Sequence, residues 1–119
     1  MKKPFLPKLN ASITEIPKEH TRKLWSQFQR DLNKIGIVDT EVFGEQFDVN
    51  NVFTRVKTVL LDLSKNREES FWQLLYVVDL PEAFLSRIEQ SEAGIEELSR
   101  IIMIREWQKV ILRQHFSAS

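Results

Sequence analysis

Two histidines, His20 and His115, are the side chains in this chain of 119 residues best suited to moving protons near neutral pH. Neither has the companions that catalysis needs. His20 lies in a densely charged stretch, KEHTRK from Lys18 to Lys23, and reads as an exposed residue of a first helical turn. His115 closes a long helical pattern, where the negative end of the helix dipole favours a cation. Two carboxylate pairs, Asp79/Glu82 and Glu92/Glu96, share helix faces, but helix capping and dipole complementation account for them. No His-x-x-x-His or Glu-x-x-His spacing is present to place metal ligands on one helical face. There is no cysteine, which excludes disulfides, thiolate nucleophiles and thiolate-bound metals. The three glycines, Gly36, Gly44 and Gly94, are isolated, so no glycine-rich phosphate cradle can form. The expectation is a chain without enzymatic activity, cofactor or metal.

The elements that carry these residues read as helices throughout. Leu24, Phe28, Leu32 and Ile35 recur at intervals of three and four after Pro17, and Gly36 is suited to end that helix. Residues 37–48 form a connector in which Asp39 or Thr40 could cap a short turn carrying Val42, Phe43 and Phe47, with the aromatics plugging the core. Asp48, Asn50 or Asn51 then caps a helix striped by Val49, Val52, Phe53, Val56, Val59, Leu60 and Leu63, which ends near Asn66. Residues 67–80 make the most hydrophobic run, read as a helix because no second strand exists to pair with it. Asp79 is expected to cap a further short helix that has Pro81 and Glu82 in its first turn and turns Phe84, Leu85 and Ile88 inward.

The last helix, from a cap at Ser91 to Phe116, organises the rest. At 100° per residue Ile95, Leu98, Ile101 and Ile102 fall on one side of its first half. Met103, Ile104, Trp107, Val110 and Ile111 fall nearly opposite in its second half. An ordinary surface helix keeps one stripe. This helix therefore runs through the core, kinks near Met103, or offers the second face, centred on Trp107, to another copy of the chain.

The fold class is all-α: a compact bundle of about five helices with a long C-terminal helix and an extended N-terminal arm. Residues 1–16, with Pro4 and Pro7, form the arm, whose Phe5, Leu6, Leu9, Ile13 and Ile16 pack on their own or a neighbouring subunit. Residues 17–119 form one helical domain. The formal net charge is zero, against a dedicated nucleic-acid binder. Residues 1–34 nevertheless carry eight Lys/Arg against three acids, so a basic first helix is expected to lie against an acidic remainder. No signal-peptide core and no membrane span is visible, and the expected location is cytoplasmic. These features favour a non-enzymatic interaction module, a homodimer joined through Met103, Ile104, Trp107, Val110 and Ile111, with another protein as a possible partner. The alternatives are a nucleic-acid-associated protein using the basic arm and first helix, and a carrier of a small apolar ligand.

Overall fold

Helix α1 (Lys18–Lys34) starts where Pro17, extended at ψ 145, supplies the carbonyl that His20 N–H bonds. It ends at Gly36, whose φ of 81 is the left-handed conformation that only glycine adopts without steric cost. Helix α2 (Val49–Asn66) is capped by Asp48, whose carboxylate accepts from Asn51 N–H at 2.8 Å. Helix α3 (Glu68–Val78) opens on two acids and closes on Asp79, held left-handed at φ 67. Helix α4 is the short segment Glu82–Leu85, and α5 (Glu92–Ser117) is the long one. Ser91 Oγ accepts from Gly94 N–H at the start of α5. The computed structural model describes residues 4–41, 43 and 47–117, and no strand occurs among them. The chain is a compact all-helical bundle.

Helix α5 runs through its middle, with its broadest contacts against α1 and α2. Both of its apolar faces are buried, from Ile95 and Leu98 through Ile101–Ile104 to Trp107 and Val110. Against them stand Leu24, Phe28 and Leu32 of α1, Val52, Val56, Leu60 and Leu63 of α2, and Phe71, Leu74, Leu75 and Val78 of α3. A helix that is apolar all round is one enclosed by its neighbours.

The arm lies on α5 of its own chain, held through its main chain. Arg100 donates to the carbonyls of Leu9 and Ala11 at 2.8 and 2.7 Å, and Gln108 donates to that of Pro7 at 2.7 Å. A 3-10 turn at Ile13–Glu15, closed by a reciprocal capping box between Ser12 and Glu15, then leads to buried Ile16.

One local expectation changes. Asp79 does not cap α4, which begins after Pro81 without a side-chain cap. Asp79 instead ends α3 and turns its carbonyl and carboxylate to Arg105, at 3.0 and 3.1 Å. The anticipated short turn in the connector falls largely on residues 42 and 44–46, outside the described residues. Phe43 and Phe47 do pack as the plug, edge to face with each other at 4.9 Å, and Phe43 with Trp25 at 5.1 Å.

Gly94 marks a close approach that helix propensity alone would miss. A Cβ there would run straight into the Glu89 carbonyl of the segment joining α4 to α5. Gly94→Ala should therefore destabilise the chain by about 1–3 kcal/mol through overpacking, although alanine is the better helix former by about 1 kcal/mol. A urea midpoint that rises with this substitution would show the connector to be free to move away.

Candidate functional site

The apolar residues singled out on α5 are covered within a single chain. Met103 and Ile104 are fully buried, Trp107 is 5% exposed, Val110 is buried and Ile111 is partly so. Trp107 also donates its indole N–H to His20 Nδ1 at 3.0 Å, which makes His20 a partly buried acceptor instead of a free surface base. His115, in the last turn of α5, stacks edge to face on Phe116. These contacts give Trp107 and both histidines packing roles.

The ionisable groups that do come together lie deeper, where α1, α3 and α5 meet. Lys109 of α5 places Nζ 2.8 Å from Asp31 Oδ2 and 2.9 Å from Glu106 Oε1, and within 3.3 Å of the Val77 carbonyl. Gln27 donates to the other Asp31 oxygen at 3.3 Å. Asp31 and Glu106 are both fully buried. Lys109 is the cation that faces Glu106 inside this enclosed site. Burial pushes the Glu106 carboxyl well above its ordinary value, neighbouring Asp31 adds to the rise, and Lys109 opposes it. Asp31 and Lys109 form the ion pair, and the Glu106 carboxyl beside it is biased toward its protonated form. Helical spacing groups Glu106 with the polar Arg105, Lys109 and Arg113, yet the structure buries it.

Above this cluster lies the outer face of α3. Trp72 and Tyr76, one turn apart, are 38% and 81% exposed, while Phe71, Leu74, Leu75 and Val78 face inward. Glu69 and Gln73 extend the same outer face, and Lys34 and Ile35 at the end of α1 border it, forming an open groove. An exposed aromatic pair thus has both an acid, Glu69, and a base, Lys34, along its border.

The basic residues of α1 behave differently from expectation. Among the described residues no ion pair joins a base of the first 34 residues to an acid beyond them. The pairing that does cross is the reverse, Asp31 to Lys109. Arg22 covers the Phe47 ring at 4.4 Å, a cation–π contact, while Lys2 and Lys3 lie outside the described residues. Asp39 is buried at the foot of the connector and binds Arg55 at 3.0 Å.

No group of three or more His, Asp or Glu residues among the described residues is placed to hold a metal ion. No helix among them is long and apolar enough to cross a membrane. No protein-family model, curated protein or solved structure matches the chain. The α3 ridge and the charged cluster beneath it are therefore read on their own chemistry. The ridge had a signal in the sequence, because Trp72 and Tyr76 fall opposite Phe71, Leu74, Leu75 and Val78 when the hydrophobic run is wound as a helix.

Proposed function

We propose that the protein is a non-enzymatic helical interaction module of the cytoplasm that pairs with a second copy of itself through the outer face of α3. The carrying observation is the exposed Trp72–Tyr76 ridge, since tryptophan and tyrosine are typical anchors at interface centres. Its border favours a second copy as the occupant. Glu69 and Lys34 both line the groove, so a two-fold axis across it lets each copy meet the other's acid with a base. The seam is placed here rather than on the α5 surface expected from the sequence because most of that surface is enclosed within one chain. Burial of Asp31 and Glu106 supports the non-enzymatic reading, because it holds both carboxylates away from any substrate.

The test is absolute mass by light scattering over a concentration series, for wild type and Tyr76→Glu. Tyr76 projects into solvent, so its replacement should leave the melting temperature within a degree or two and change association alone. A wild-type dimer that becomes a folded monomer supports the proposal. A wild type that stays monomeric at every concentration, or a dimer indifferent to Tyr76→Glu, overturns it.

A further inference from the structure

A second feature, between α4 and the first turns of α5, has the character of a small-molecule site. Helix α4 and the turn after it stand away from α5 and enclose a cleft of about 440 Å³, within the range of roughly 300–1,000 Å³ usual for ligand pockets. Leu98 and Ile101 form its floor, and Phe84 and Ile88 form the facing wall. Helix α4 has only four residues and shares no broad interface with another helix, so it can yield to an entering ligand at little cost. Gly94 brings the backbone of Glu89 hard against α5, which closes one end of the cleft with main chain.

The charges around the cleft are unequal in availability. Glu97 is already paired with Arg100, which in turn grips the arm. Glu89 meets α5 through its backbone, and its side chain is exposed. Arg87 is the one base lining the cleft, and it has no ion-pair partner among the described residues. A guanidinium at the mouth of an apolar cleft matches a carboxylate geometrically, through two parallel N–H donors. We propose that this cleft binds a monocarboxylate with an apolar tail, of the fatty-acid class, with the tail between α4 and α5 and the carboxylate on Arg87.

The test titrates the full chain with decanoate, decanol and decylamine, following backbone amide chemical shifts. Decanoate should bind saturably, with its shifts confined to residues 83–101, and more tightly than decanol or decylamine. Arg87→Gln should weaken decanoate roughly tenfold or more, to the level of decanol, which is the loss of one charge-assisted pair. Ala93→Trp fills the cleft from an exposed position and should abolish binding without moving the unfolding midpoint. Ala83→Trp repeats the block from α4 should the first variant misfold. Absence of saturable binding, a preference for decylamine, equal affinity for decanol and decanoate, or shifts mapped elsewhere would each overturn the proposal.

Discussion

Lys109→Met should cost the fold about 3–5 kcal/mol, because it strands two fully buried carboxyl groups with no cation between them. That is a large share of the roughly 5–15 kcal/mol that holds a typical domain together. Replacing all three members, as Asp31→Leu, Glu106→Leu and Lys109→Met together, should recover most of the loss. Well-packed apolar groups need no solvation, and such replacements are often neutral or stabilising by about 1–4 kcal/mol. Urea unfolding of the single and triple variants measures both. A triple variant less stable than Lys109→Met would mean that the charged groups stabilise the fold beyond their mutual compensation.

Glu106 gives this cluster a signature in pH. Its folded-state value is raised above the ordinary carboxyl value of 4.5, so over the interval between the two the native state holds more protons than the unfolded chain. The stability it contributes is therefore complete below about pH 4.5 and is lost as pH rises through the folded-state value. Glu106→Gln lacks that term. The variant should match wild type most closely near pH 4.5 and gain on it as pH increases, then run parallel. Melting curves that stay parallel from acid to neutral pH would show Glu106 to be ionised in the native state throughout.

Trp107→Ala is the second large effect, about 3–5 kcal/mol, the usual cost of truncating a core tryptophan. It also strips His20 Nδ1 of its donor. Trp107→Glu goes further, placing an unpaired carboxylate in the core, and should leave the chain unfolded. Tyr76→Glu on α3 should by contrast stay within about 0.5 kcal/mol of wild type. Denaturant midpoints for the three variants read the difference directly. The opposite pattern, with Trp107→Glu folded and Tyr76→Glu unfolded, would exchange inside and outside for these two faces.

Much of this fold was legible because helix ends are written locally. Asp48 at the start of α2, Gly36 after α1 and Ser91 before α5 act on backbone groups within three residues of themselves. Asp79 misled because the same local logic favours a cap, whereas its partner Arg105 lies 26 residues further on. The buried cluster was hidden for a related reason. Glu106 and Lys109 are three residues apart and look like a solvent-facing pair, and only Asp31 arriving from α1 makes their burial tolerable. The two faces of α5 were plain in the sequence. What covers them was not, since periodicity reports that a face is apolar and not whose side chains meet it.

The central position of α5 also has a consequence for biosynthesis. The apolar stripes of α1 and α2 find their broadest partner in a helix translated after both. Until α5 has cleared the ribosome, Leu24, Phe28 and Val56 lack part of the surface that will enclose them. The nascent chain must therefore carry uncovered hydrophobic faces until α5 is in place, the condition under which holding chaperones bind growing chains.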